Sequence, residues 1–235
     1  DLNGDCRILQ SASYHSLSND NITYKDCEIL AWIIANGWLY WSKTSKFLHT
    51  RRNLNCGFKY SNEAKHIDET LMSYQACKTS TSNEKICLFG DNIKDLMLNK
   101  FKFGYKSLNE IDFTDIITSM SYIQRESFID AFFTACNAKR DGIFNMLLLF
   151  EGNGSDAIIL ALTLNGYSLI IQEIFNERGL NVSISVRSKS YFTGQRLKKT
   201  ITRSTDVFCI SDRKSNFIMR QGSCISITGN SVYGA

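Results

Sequence analysis

The spacing of hydrophobic positions changes twice along this chain. From Tyr24 a helical signal begins: apolar residues fall at Ile29, Leu30, Ile33 and Ile34, the spacing of one helical face, and the run stops at Gly37. Asp26 is the expected N-cap, where its charge favours the positive helix end. From Trp38 to about Ser80 the chain is rich in Lys, Ser and Asn and predicts strand-like or irregular pieces. Helical spacing returns over 107–120 and 124–138; in the latter Phe128, Ala131, Phe132 and Ala135 share a face. Ser155 and Asp156 predict the cap of a further helix over 157–164, closed by Asn165-Gly166. Beyond it the period shortens to two. Residues 169–175, 180–186 and 200–211 read as strands, and Asn176-Glu177-Arg178-Gly179 as a hairpin turn. Residues 217–220 and 224–228 read as a closing pair, turned at Gln221-Gly222. The pattern predicts an α+β chain, helical to about residue 165 and β-rich after it, with a boundary near residue 190.

At 235 residues the chain can bury one large core or two small ones. Its 43% hydrophobic and 21% charged residues are those of a globular protein. A net charge of +4 permits nucleic-acid binding without requiring it. No apolar run is long enough to span a bilayer and no signal peptide is recognisable, so no membrane partner is expected. Eight cysteines, at 6, 27, 56, 77, 87, 136, 209 and 224, fall into no CxxC or zinc-ligand spacing. They predict reduced thiols in a cytoplasmic protein and no metal site. The chain has no proline, for which no physical reason is evident, and begins with Asp1 rather than Met, the expected mark of a fragment that starts upstream.

Ile29-Leu30-Ala31-Trp32-Ile33-Ile34-Ala35-Asn36-Gly37 resembles the LAGLIDADG motif of homing endonucleases, and Phe128 to Asn137 resembles a second copy. Ala31 and Ala35, and Ala131 and Ala135, sit four apart and would let two helices approach closely. The resemblance implies two αββαββα-like units whose sheets lie in the DNA major groove. In that family an acid ending each motif helix binds the divalent metal. Here those positions carry Asn36 and Cys136, an amide and a thiol, which are poor ligands for Mg²⁺. Asp130 and Asp141 flank the second motif out of register. The resemblance therefore implies a degenerate nuclease that binds DNA weakly, with Mg²⁺ relevant only were it active. Residues 151–167 also resemble the stretch after the second motif in phage-type inteins.

The last residues carry a second resemblance. Asn230-Ser231, after a β-alternating run and before Val232-Tyr233-Gly234-Ala235, resembles the C-terminal junction of an intein. Asn-Ser-Val-Tyr-Gly-Ala also resembles a nucleotide-binding motif of family B DNA polymerases, of viral or phage type, a common insertion point. Asn230 would cyclise to a succinimide and Ser231 would accept the upstream host segment as an ester. Residues 206–211 resemble the strand preceding such a junction, with Cys209 at a position that is Asp or Cys in the family. Cys209 reads either as a nucleophile or tuning thiol, or as a small buried hydrophobe. Gly229 stands where the family usually has His, removing a general acid and implying slow cyclisation. Gly4-Asp5 and Ala12-Ser13-Tyr14-His15 faintly echo the family's starting motif and its TxxH signature, leaving His15 as a weak candidate.

These resemblances imply four segments. Residues 1–24 are a connector or remnant of the N-terminal splicing half, and 25–190 a degenerate LAGLIDADG-type domain. Residues 191–230 are the β-rich C-terminal part of a Hint splicing domain, and 231–235 begin the host. Splicing itself would need no cofactor; its partners would be the host DNA polymerase and a separate N-terminal intein fragment. The alternative is a stand-alone LAGLIDADG protein that binds DNA or RNA without splicing.

Overall fold

A computed structural model describes residues 7–9, 19–46, 49–61, 67–80, 84–136, 146–150, 152–176, 179–187, 191–193, 216–221 and 224–229. Helix α1, Tyr24–Asn36, begins at Thr23 rather than at Asp26. Thr23 Oγ1 accepts from the Asp26 amide at 3.2 Å, and the Asp26 carboxylate accepts from the Thr23 amide at 2.7 Å. Asp26 thus occupies the third helical position of a capping box, where it reaches back to close the first turn. The helix ends at Gly37, in extended backbone at φ −113°. Glycine is needed there for space: a Cβ would stand 2.6 Å from the carbonyl oxygens of Ile33 and Gly57.

Strands β2, Gly37–Lys46, and β3, His49–Ser61, form a long antiparallel ribbon. Helix α2, Ile67–Ser73, then leads into β4, Cys77–Ser80, and β5, Glu84–Phe89. The sheet runs β2-β3-β5-β4, antiparallel throughout. Its inner face buries Leu39, Cys56, Phe58, Tyr60, Cys87 and Phe89 against α1, with Trp32 stacked on Phe58 at 5.3 Å. Further along the ribbon, Trp41 meets the Tyr105 ring at 4.8 Å and the Arg52 guanidinium lies 4.3 Å over the same ring.

A short helix α3, Asn92–Asp95, passes into a π-helical turn, Leu96–Lys100. The helix expected over 107–120 is two pieces. A 3₁₀ turn, Leu108–Glu110, is followed by extended residues and then by α4, Thr114–Ser119. The break falls where the Asp112 carboxylate accepts from the Thr114 amide at 2.9 Å and starts a new turn.

Helix α5, Tyr122–Ala135, opens on a second capping box, Ser121 with Gln124, and ends three residues earlier than its periodicity suggested. The Gln124 amide also donates to the carbonyls of Ile22 at 2.5 Å and Asn19 at 3.0 Å, tying the start of α5 to the approach to α1. After β6, Met146–Phe150, helix α6, Asn153–Leu164, begins four residues before the expected 157. Strands β7, Ser168–Asn176, and β8, Gly179–Arg187, form the anticipated hairpin, with Asn176 opposite Gly179. The second sheet runs β6-β8-β7. It has three strands among the described residues, against the four expected of a full repeat. Arg125 is fully buried between α5 and α6. It donates to Asn165 Oδ1 at 2.5 Å and to the Met120 carbonyl, while Asn165 in turn donates to Glu126 at 2.7 Å.

Two small antiparallel pairs complete the elements of the described residues. Strand β1, Arg7–Leu9, pairs with β9, Tyr191–Thr193. Strand β10, Asn216–Gln221, pairs with β11, Cys224–Gly229, as the closing pattern predicted. The strand expected over 200–211 lies outside the described residues. Among the described residues no helix is long and apolar enough to cross a membrane.

Candidate nucleic-acid interface

Helices α1 and α5 pack on one another, each carrying buried or half-buried alanines four residues apart: Ala31 and Ala35, Ala131 and Ala135. Small side chains at that spacing leave room for the two backbones to approach. The helices come together at their C-terminal ends, the location implied for the metal-binding acids. There the Asn36 carboxamide donates through Nδ2 to the backbone carbonyl of Ala135. Cys136, the next residue, is half-buried and caps α5, with its own amide donating to Phe132 O at 3.0 Å.

This donor set does not suit a hard cation. The Asn36 NH₂ points a proton at an oxygen that a helix end would otherwise leave open. The Cys136 thiol is pushed up to about 11 by burial and stays protonated at neutral pH. Asp130 is exposed on α5, and Asp141 lies outside the described residues. Among the described residues no group of three or more His, Cys, Asp and Glu is placed to hold a metal ion.

Beside the helix ends the two sheets turn their outer faces away from the core. Register puts Trp38, Tyr40 and Ser42 of β2 on the same face as Asn53, Asn55, Gly57 and Lys59 of β3, with Ile86 and Leu88 of β5. Asn53 and Lys59 are exposed, Tyr40 is 49% exposed, and Asn55 donates to Ser42 Oγ at 3.1 Å. The second sheet buries Leu169, Ile171, Val182 and Ile184 on one face; on the other, Gln172 and Ile174 are exposed, Ile170 and Ser185 half-buried, and Asn181 and Ser183 buried. Amides, hydroxyls and an ammonium on a twisted antiparallel surface have the chemistry of base edges and phosphates. The alternation 38, 40, 42 carried this signal in the sequence, but only the pairing register reveals which face it serves.

The splicing candidates are less fully placed. Gly229 is the last residue of β11, opposite Asn216. Asn230, Ser231, Cys209 and His15 lie outside the described residues. The only acid held deep in the structure near either motif helix is Asp26, a turn-closing residue at the far end of α1 among the described residues. Burial raises its carboxyl, but hydrogen bonds from Tyr74, the Thr23 amide and Lys100, the last at 3.0 Å, outweigh this and hold it below the ordinary range.

No protein-family model matches the chain, and no curated protein matches it. Similar solved structures are homing endonucleases of the LAGLIDADG type. I-DmoI in complex with DNA and Ca is 13% identical, with a TM-score of 0.49 over 72% of this chain and 85% of that one. Mesophilic variants of the homing endonuclease I-DmoI are 13% identical, with a TM-score of 0.48 over 72% and 92%. The homing endonuclease I-WcaI bound to its DNA recognition sequence is 16% identical, with a TM-score of 0.39 over 69% and 76%. At these identities and scores, function has to be argued from the chain's own residues.

Proposed function

We propose that this chain binds DNA through a LAGLIDADG-type domain that no longer cuts, and that this domain is inserted in the C-terminal part of an intein hosted by a DNA polymerase. The observation that carries the non-cleaving reading is the bond from Asn36 to the Ala135 carbonyl. It fills the helix-end junction with an amide where metal-assisted hydrolysis needs carboxylate oxygens. The paired helices and the amides, hydroxyl and ammonium on the outer face of the first sheet support DNA binding. Purified protein titrated with mixed-sequence duplex should bind it, with affinity falling as salt rises. It should leave the duplex intact in Mg²⁺ or Mn²⁺. Cleavage would overturn the reading of the junction, and binding indifferent to salt the reading of the faces.

The splicing reading rests on the sequence of the junction and on two features of the fold. Strand β1 pairs with β9, so the chain leaves for the helical body and returns from it at neighbouring points, as an inserted domain requires. Hairpin β10–β11 delivers Gly229 at a strand end, directly before Asn230. In the proposed chemistry the Asn230 side-chain nitrogen attacks its own backbone carbonyl carbon. The bond to Ser231 breaks, a succinimide forms, and the Ser231 amine is freed. Before that step Ser231 Oγ has attacked the acyl carbon that joins the upstream host segment to the N-terminal intein half, breaking that bond, releasing the half and leaving an ester that then passes to the freed amine. Gly229 offers no proton to the leaving amine, so the step is slow. Adding an N-terminal intein half and following ligated product by mass tests this; Asn230→Ala should abolish release of the downstream segment.

A further inference from the structure

The β2–β3 ribbon outruns the core beneath it. On its inner face the opposed residues Leu39 and Cys56 are buried, and the next pair, Trp41 and Leu54, is half-buried at the edge of the core. One pair further out on the same face, Lys43 stands directly opposite Arg52, and both are exposed. Like charges directly across an antiparallel pair repel and weaken it. The ribbon supplies no acid to offset them: residues 37–61 carry Lys43, Lys46, Arg51, Arg52 and Lys59 and no Asp or Glu. Residues 168–187, which make up β7, β8 and their turn, balance Glu173 and Glu177 against Arg178 and Arg187. The excess of positive charge belongs to the first ribbon and not to the second hairpin.

Arg52 is also held in one direction. Its guanidinium lies 4.3 Å over the Tyr105 ring, and that ring meets Trp41 edge-on at 4.8 Å. Tyr105 comes from a loop pinned to the core by Phe101 and Phe103, both buried with ring centroids 5.2 Å apart, and turned by Gly104 at φ 65°. Glu110, farther along, is turned back on the Ser107 amide and hydroxyl at 2.8 and 2.7 Å. Among the described residues neither Lys43 nor Arg52 has a carboxylate partner. A ring over the guanidinium fixes its plane but leaves the N–H groups, which lie in that plane, pointing outward. A fixed guanidinium beside an ammonium has the donors for the two free oxygens of a phosphodiester. Charge kept for solubility alone needs no ring to aim it, and aiming a long side chain costs rotamer entropy. A ribbon in the major groove has a backbone along each side, and β2 is the edge strand of its sheet. A cation pair on the face turned from the bases therefore meets backbone.

We propose that Lys43 and Arg52 form a clamp for the phosphate backbone of a DNA duplex, and that Tyr105 is the positioning residue that aims the guanidinium. The inference rests on the reading of the first sheet as a DNA-binding surface and names where that surface holds the backbone. The hold is one-sided, made by β2–β3 and not repeated on β7–β8.

The test uses the full chain and two mixed-sequence DNA duplexes of unrelated sequence, with affinity read by anisotropy over a range of salt. Arg52→Ala should weaken binding to both duplexes equally, roughly tenfold, and flatten the slope of log affinity against log salt by about 0.9, the share of one phosphate. Lys43→Ala should act in the same sense. Tyr105→Ala should lose affinity for both duplexes, and Tyr105→Phe, which keeps the ring, should restore it. In an Arg52→Ala background Tyr105→Ala should cost nothing more. Lys25→Ala removes an exposed cation at the start of α1 and controls for net charge; it should leave affinity and slope unchanged. Arg52 and Lys43 variants indistinguishable from Lys25→Ala, or losses confined to one duplex, would overturn the clamp and leave the DNA reading standing. Additive losses for Tyr105 and Arg52 would overturn the positioning role. A parent chain that binds neither duplex would overturn both readings. Should Tyr105→Ala not fold, Arg52→Lys decides: keeping the charge but not the planar fork, it should retain the salt slope and lose affinity, and unchanged affinity would overturn the positioning.

Discussion

At Asn36 a carboxamide does what a carboxylate cannot, donating a proton to a carbonyl oxygen. Asn36→Asp places a carboxylate at the end of α1 but turns an oxygen toward Ala135 O. The variant should remain inactive in Mg²⁺ and lose about 1 kcal/mol at neutral pH. A carboxyl facing a carbonyl has its folded pKa raised, so the loss should be present above that pKa and shrink as pH falls toward about 4. Thermal melts across that range check the sign. Asp26 behaves oppositely. Its lowered pKa contributes stability that is fully present above the unfolded value of about 3.9 and lost as pH falls through the folded one. Asp26→Asn should be about 2 kcal/mol less stable at neutral pH, with the difference closing below about pH 4, as denaturant titrations would show. The positions of Asn36 and Cys136 were legible in the motif. What Asn36 does was not, because its acceptor lies 99 residues away.

Helices α1 and α5 announce themselves through apolar spacing, capping residues and small side chains, and those signals are local. Helix α1 starts at Tyr24, where the helical signal begins, and α5 starts two residues before the expected 124; both caps lie outside the apolar run, at Thr23 and Ser121, and the acid expected to cap α1, Asp26, closes the turn from inside. Helix α2 escaped notice. Among its described side chains Ile67, Thr70 and Leu71 are buried, too few to establish a period in a polar stretch. The α1–α5 contact depends on side-chain size, which gives a sharp expectation. Ala131→Leu adds bulk to a helix face already buried and should cost about 1–3 kcal/mol. Its melting temperature should fall by roughly 2–10 °C, read by circular dichroism.

For the whole molecule, the pairing of strands was the least legible level. Alternation located β7, β8, β10 and β11, but nothing local says that Arg7–Leu9 meets Tyr191–Thr193. That pair makes a segment near the start of the chain and one near its end into neighbours. It also predicts that residues 19–187, expressed alone, will fold and keep the parent's DNA affinity and salt dependence. A gel-shift titration of the excised body against the parent decides this; loss of affinity would mean that the flanking strands contribute to the binding face. The same pair has a consequence for how this gene can be edited. Leu9 sits opposite Tyr191, about 5 Å away across an antiparallel ladder, a gap that a two-residue turn closes. Cutting out everything between them and splicing in Asn-Gly should leave both strands in register, a bridge that stays shut without its cargo.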